Sequence, residues 1–205
     1  MTASASSPAV DTVVFDIGNV LIEWDPRHLY RQLIEEEARL EWFLSVVLPP
    51  EWNLMQDAGR TWEEAVAEAL ARHPEEEALI RAYRQRWHEM IPGEIPGTVA
   101  ILDRVRRAGV PNYAITNFAA DTFAEAKIRF PFLAGFIDTV VSGDERLLKP
   151  DPRIYRLLAE RNGLDLARGV FIDDSPKNVE GARSVGMTAI HFVGPEDLER
   201  RLAGL

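Results

Sequence analysis

The chain of 205 residues contains no cysteine. Disulfides, thiol nucleophiles and thiolate metal sites are therefore excluded. Histidine is scarce as well: His28, His73, His88 and His191 show no close metal-ligand spacing, and each reads as a surface or packed residue. Basic residues are in deficit, with 23 Lys and Arg against 33 Asp and Glu and a formal net charge of −10. Such a field argues against a nucleic-acid or anionic-membrane partner. It does not exclude an anionic substrate, because a local lysine or metal overrides the global charge. No apolar run is long enough to span a bilayer. Residues Met1 to Ala9 are small and polar and lack the basic end and apolar run of a signal peptide. The first ten or so residues read as a disordered tail, and the expected location is the cytoplasm.

What is present is an ordinary apolar content of 46%, enough for one sizeable core. The chain is organised around Val13-Val14-Phe15-Asp16-Ile17-Gly18-Asn19-Val20-Leu21. An apolar strand-like run ends there in a carboxylate, followed by two residues suited to tight turns. From about Arg27 to about Met90 the pattern is helical and shows no convincing strand. Thr61-Trp62-Glu63-Glu64 has the form of a capping box. Pro74 is expected to open another helix, and the glutamates 35–37 and 75–77 read as solvated surface. Pro92, Gly93, Pro96 and Gly97 mark a linker.

Beyond the linker, strand and helix alternate. A helix is expected over 98–108, capped by Thr98 and stopped by Gly109. Strands are expected at 112–115, 136–141, 170–172 and 188–192, with Asp151 capping one of the helices between them. Repeated strand–helix units imply an α/β fold, a doubly wound parallel sheet covered on both faces. The expected domains are an α/β core at 11–25 and 92–205 and a small helical cap at 26–91, inserted after the first strand.

Four polar clusters fall at or after strand ends: Asp16, Thr116-Asn117, Lys149-Pro150-Asp151-Pro152 and Asp173-Asp174. In a parallel sheet all four can share the ligand-binding rim. Three carboxylates converging there repel one another unless a cation lies between them, and oxygen ligands suit Mg²⁺. A lysine and a hydroxyl suit phosphoryl oxygens, and an Asp beside a metal-bound phosphoryl group is a plausible nucleophile. Any one cluster alone reads more simply as a helix cap or turn; the ordered set at strand ends does not.

These segments resemble the motifs of the haloacid dehalogenase superfamily, most of whose members are phosphatases. The four stretches are 15–21, 114–117, 142–155 and 171–178. The resemblance implies that Asp16 attacks phosphorus and carries an aspartyl-phosphate. It implies Mg²⁺ held by Asp16, the Gly18 carbonyl and Asp174, with Asp173 in direct contact or one residue removed. It also implies that Thr116, Asn117 and Lys149 bind phosphoryl oxygens, that Lys149 offsets the carboxylate charge, and that Asn178 supports the metal loop or starts its helix.

One position departs from the family. Phosphatases of this kind usually carry a second Asp where Gly18 stands, to protonate the leaving oxygen. Three readings follow: another group supplies the proton (Asp25, a cap residue, water or the substrate), the substrate has a better leaving group, or the enzyme is slow or inactive. The first two are preferred. The Asp-x-Gly-Asn-Val form resembles a subgroup that includes bacterial phosphatases acting on glucose-1-phosphate. The expected activity is a Mg²⁺-dependent phosphatase acting on a small phosphorylated metabolite, a sugar phosphate first. The alternatives are a non-catalytic phosphometabolite-binding protein and, less favoured, a dehalogenase, which would need no metal and would carry an aromatic residue at position 18. All five tryptophans fall between the first motif and the linker. Trp62 and Trp87 read as core, and Trp24 as the one placed to touch substrate. Monomer and homodimer both remain open.

Overall fold

The computed structural model describes residues 10–204. The expected N-terminal tail lies almost wholly outside the described residues. Among them, a single parallel sheet of five strands has the order β3-β2-β1-β4-β5. The strands are β1 (Thr12–Phe15), β2 (Asn112–Thr116), β3 (Thr139–Val141), β4 (Gly169–Asp173) and β5 (Thr188–His191). β1 lies at the centre, paired with β2 through Phe15 and Ala114 and with β4 through Phe15 and Ile172. The doubly wound parallel expectation is met.

The helices are α1 (Arg27–Tyr30), α2 (Glu37–Trp42), α3 (Pro50–Asp57), α4 (Trp62–Arg72), α5 (Glu77–Gln85), α6 (Pro96–Arg107), α7 (Ala120–Arg129), α8 (Ser142–Glu145), α9 (Pro152–Asn162), α10 (Pro176–Ser184) and α11 (Pro195–Leu202). Strand side chains alternate between two faces. Val14, Tyr113, Ile115 and Phe171 pack with Ile154, Tyr155 and Leu158 of α9 and with Val179 and Ala182 of α10. Val13, Phe15, Ala114, Val170 and Ile172 face the other way. Their apolar cluster takes in α6, α7, α11 and the helices of 27–90 without a break. Truncating a fully buried aromatic such as Phe15 or Phe171 to Ala should cost roughly 3–5 kcal/mol.

The chain leaves and re-enters the sheet region side by side. Glu23 N–H donates to Gly93 O at 3.0 Å, Asp25 N–H to Met90 O at 3.0 Å, and Ile95 N–H to Leu21 O at 2.8 Å. Between these strips lie helices only, as the periodicity indicates. The capping box is formed: Glu64 N–H donates to Thr61 Oγ1 at 3.2 Å, and Thr61 N–H donates back to Glu64 Oε2 at 3.1 Å. Asp151 caps α9 through Arg153 N–H at 2.9 Å.

Several local expectations are corrected. Pro74 opens a single 3₁₀ turn, Pro74–Glu76, before α5 begins. Glu76 is buried and ion-paired with Arg39, so the run 75–77 is not wholly solvated. Helix α6 starts at Pro96, whose fixed φ suits a first turn, and Thr98 is buried inside it rather than capping it. β3 is shorter than 136–141, because residues 131–135 form a 3₁₀ segment and the Phe136 ring packs under the Arg106 guanidinium.

Candidate active site

Three strands deliver polar residues to one rim. Asp16 directly follows β1, while Thr116 and Asp173 are the last residues of the flanking strands β2 and β4. Asp16 is anchored locally: its N–H donates to Ile172 O at 2.8 Å, and its Oδ1 accepts from Ile17 N–H at 2.7 Å. Asn19 adopts left-handed backbone with φ 55°, a conformation asparagine tolerates, and its Oδ1 accepts from Trp24 N–H at 2.9 Å. The turn after Asp16 therefore bends at Asn19, while Gly18 is left with open space where a side chain would project.

Lys149 is buried, and its Nζ lies 2.7 Å from Asp16 Oδ1 and 2.7 Å from Asp173 Oδ2. A loop brings it there, and two contacts fix that loop. Asn117 bonds both main-chain polar groups of Lys149. On the other side, Gly181 of α10 meets Pro150 so closely that an added Cβ would lie 2.6 Å from Pro150 O. Asp173 is held from below: its Oδ1 accepts from Ser175 N–H at 2.8 Å and from Asn178 Nδ2 at 3.0 Å. Asn178 thus supports the acidic loop directly rather than only starting α10. His191 Nε2 contacts Asp174 O at 3.0 Å, tying β5 to the same loop.

Carboxylate oxygens of Asp16, Asp173 and Asp174 lie within 4.8 Å of one another. Burial pushes the Asp16 carboxyl well up, and repulsion from Asp173 and Asp174 adds to this against the pull of Lys149. Burial and Asp173 raise Asp174 as well. Burial alone would lower Lys149, but its charge contacts and hydrogen bonds to Asp16 and Asp173 win and hold it above its ordinary value. One ammonium does not compensate three carboxylates, and the donor set is all oxygen. The cluster fits a hard divalent cation.

A cavity of about 150 Å³ opens on this rim, lined by Asp16, Gly18, Lys149, Asn117 and Asn178. Its aromatic lining comes from Trp24 in the segment after Asn19, from Trp62 and Trp87 of 27–90, and from Phe118 in the loop after β2. Trp24, expected to touch substrate, lines this cavity. Trp62 and Trp87, read as core from their helix faces, are walls of this cavity too; Trp87 is almost fully buried and Trp62 is partly exposed. Thr116 is buried beneath the rim and does not line the cavity, and its Oγ1 has no hydrogen-bond partner among the described residues. Asp25 lines a neighbouring cavity instead, and its Oδ1 accepts from Arg27 N–H at 2.9 Å and faces the Arg27 guanidinium at 3.3 Å. Asn53 and Asp57 of α3 line the Asp16 cavity and have no counterpart in the strand-end pattern.

A doubly wound α/β sheet with an acid–lysine rim at its strand ends defines the general class. A model of the haloacid dehalogenase-like hydrolases matches residues 10–186, and the chain belongs to that family. A phosphatase of Mycobacterium tuberculosis is 34% identical over 95 residues, covering 46% of this chain and 44% of the relative. A phosphoserine phosphatase of Thermus thermophilus is 29% identical over 145 residues, covering 68% and 57%. In both, the match spans about half the relative's own length. A phosphorylated carbohydrates phosphatase of Thermotoga maritima is 24% identical over 206 residues, covering 90% and 85%. Among solved structures, the magnesium complex of a HAD family enzyme from Bacteroides thetaiotaomicron aligns with TM-score 0.73 at 20% identity, covering 95% of this chain and 98% of that one. An L-2-haloacid dehalogenase from Xanthobacter autotrophicus aligns with TM-score 0.63 at 18% identity, covering 95% and 83%. At these identities the structural likeness is one of fold. No helix among the described residues is long and apolar enough to cross a membrane.

Proposed function

We propose that the protein is a Mg²⁺-dependent phosphatase of small phosphorylated metabolites, acting through an aspartyl-phosphate on Asp16. The observation that carries this reading is the Lys149 Nζ placed 2.7 Å from both Asp16 and Asp173, with Asp174 converging on the same point. A structural ion pair would need one acid. Two acids on one lysine, with a third, Asp174, within 4.8 Å of both, suit a cation and an anionic group together. Several relatives carry phosphatase names, which supports the same chemistry.

Asp16, Asp174 and the Gly18 carbonyl would hold the metal. Asp173 serves as the organiser, because its oxygens already accept from Lys149, Ser175 and Asn178. The bound cation would neutralise the carboxylates and the phosphoryl oxygens. Asp16, oriented by Ile17 N–H, is the nucleophile. Lys149 holds phosphoryl oxygens by charge, and the unpartnered Thr116 hydroxyl is the hydrogen-bond donor left for one of them. Asn117 acts by fixing Lys149.

We read residues 26–91 as the cap and Trp24 as a substrate contact. The cavity is small and its aromatic wall suits the apolar face of a sugar ring, so a sugar phosphate heads the substrate list. The experiment is phosphate release from sugar-1-phosphates, sugar-6-phosphates, nucleotides and an acyl phosphate, with Mg²⁺ and with chelator. Chelator-sensitive release supports the reading. Chelator-insensitive halide release from a 2-haloacid, with no phosphate release, would give a dehalogenase. Binding without any turnover would give the phosphometabolite-binding protein that Gly18 keeps in view.

A further inference from the structure

The cavity that holds Asp16 holds another acid, half-buried, and this one comes from no strand end. Asp57 is the last residue of α3 and lines the cavity together with Asp16, Gly18 and Lys149. Its carboxyl is held from two sides. Asn53 Nδ2, one turn earlier, donates to Asp57 Oδ2 at 3.2 Å, and the main-chain N–H of Ala119, in the loop after β2, donates to it as well. Asn53 is itself fixed, since its Oδ1 accepts from the Tyr83 hydroxyl at 3.0 Å.

The backbone of Asp57 is tied to the sheet rim too. Ser142 Oγ, just past β3, donates to Asp57 O at 2.5 Å and accepts from Phe118 N–H at 2.9 Å. The carboxyl is thus held by contacts from α3 and from the loop after β2, and its backbone by the end of β3. A purely structural acid at a helix C-terminus is unfavourable, because the helix dipole and burial both oppose its charge. Burial pushes this carboxyl up to about 7, against the pull of Ala119 N–H and Lys149. An acid in that range gives and takes back protons near neutrality.

We propose that Asp57 is the proton donor that Gly18 cannot be, serving the leaving oxygen of the substrate. The inference rests on the phosphatase reading above. In the first half-reaction Asp16 Oδ forms a bond to phosphorus and the phosphorus–oxygen ester bond breaks. The leaving oxygen takes the Asp57 proton and departs as the alcohol. In the second half-reaction a water oxygen attacks phosphorus while Asp57 carboxylate takes one of its protons. The bond from phosphorus to Asp16 breaks, and inorganic phosphate leaves with both side chains restored. The sum is ester plus water giving alcohol plus phosphate.

The test compares wild type and Asp57→Asn, each with Mg²⁺, on a hexose 6-phosphate and on p-nitrophenyl phosphate. An alkoxide needs the proton and p-nitrophenolate does not. Alkyl ester turnover should fall about 10²–10⁴-fold in D57N. The first-turnover burst of p-nitrophenolate should stay close to wild type, with slow release of phosphate afterwards. Adding Gly18→Asp to D57N should restore alkyl turnover, since a Cβ at position 18 projects into open space with nothing within 4 Å. A merely structural loss at position 57 would not be repaired from position 18. A p-nitrophenolate burst slowed as much as alkyl ester turnover, or no loss on either ester, overturns the role of Asp57 and leaves the phosphatase reading standing. A wild-type protein that releases phosphate from neither ester overturns that reading and this proposal with it. Should D57N not fold, Asp57→Glu carries the same comparison: a displaced acid lowers alkyl turnover and spares the burst, and an unchanged ratio contradicts the proposal.

Discussion

Asn117 grips Lys149 by both of its main-chain polar groups, Oδ1 accepting from its N–H at 2.8 Å and Nδ2 donating to its carbonyl at 3.1 Å. The residue after the β2 threonine therefore sets where the buried ammonium sits. Asn117→Ala removes both bonds and should cost about 1–3 kcal/mol of stability while lowering turnover more than substrate affinity. Asn117→Asp keeps the acceptor, loses the donor and should fall between. Thermal unfolding together with steady-state kinetics checks the order.

The same loop is seated from its other side by a glycine. A Cβ at Gly181 would lie 2.6 Å from Pro150 O and 2.9 Å from the Tyr155 hydroxyl oxygen, both fixed groups. Gly181→Ala should destabilise by roughly 1–3 kcal/mol, as overpacking does, and lower turnover by moving Lys149. Gly18→Ala meets nothing within 4 Å and should leave the thermal midpoint unchanged. Side-by-side melting curves separate the two glycines.

Much of this site is legible in the sequence, for a definite reason. Asp16, Thr116 and Asp173 each end an apolar strand run, and a parallel sheet gathers strand ends at one rim. Lys149 belongs to a polar cluster that follows a strand, and Asn178 comes from the resemblance to the family's motifs. Asp57 is not legible, because it sits in an ordinary polar helix end, Gln56-Asp57-Ala58, and owes its character to groups up to 85 residues away in sequence, such as Ser142. Trp62 and Trp87 read as core and pack in the core cluster, but their place in the cavity wall is not legible, because an aromatic cavity wall and a core face have the same periodicity. Glu76 reads as solvated since its partner, Arg39, is 37 residues away. β3 is shortened by a 3₁₀ segment whose packing on Arg106 no local pattern encodes.

Asp57 makes stability depend on pH. Its carboxyl stands at about 7 in the folded chain, above its ordinary 3.8. Between those values the folded state keeps a proton that the unfolded state has lost, so stability falls as pH rises and the loss is complete above about 7. The shift corresponds to roughly 4 kcal/mol at most. Burial raises Asp16 and Asp174 too, so the metal-free protein should lose stability in the same direction through them. The wild-type minus D57N difference isolates Asp57. It should shrink on going from pH 8 to pH 5 in denaturant titrations made with chelator present.

Three mutually repelling carboxylates predict that a divalent cation stabilises the fold. Mg²⁺ at 100 times its Kd should add about 2.7 kcal/mol, and chelator should remove it. Asp174→Asn should abolish most of that gain, because among the described residues no neighbour's hydrogen bond already occupies the Asp174 oxygens. Asp16→Asn should do the same and abolish phosphate release, with the circular dichroism spectrum of the wild type retained. Melting curves with Mg²⁺ and with chelator read both variants.

The central claim is that Asp16 becomes phosphorylated. The direct measurement is an acid quench during turnover of a hexose phosphate with Mg²⁺, followed by peptide mass analysis. The account predicts one phosphoryl group on the peptide containing Asp16, absent with chelator and absent in Asp16→Asn. Turnover with the phosphoryl group on another residue, or full phosphate release by Asp16→Asn, would contradict it.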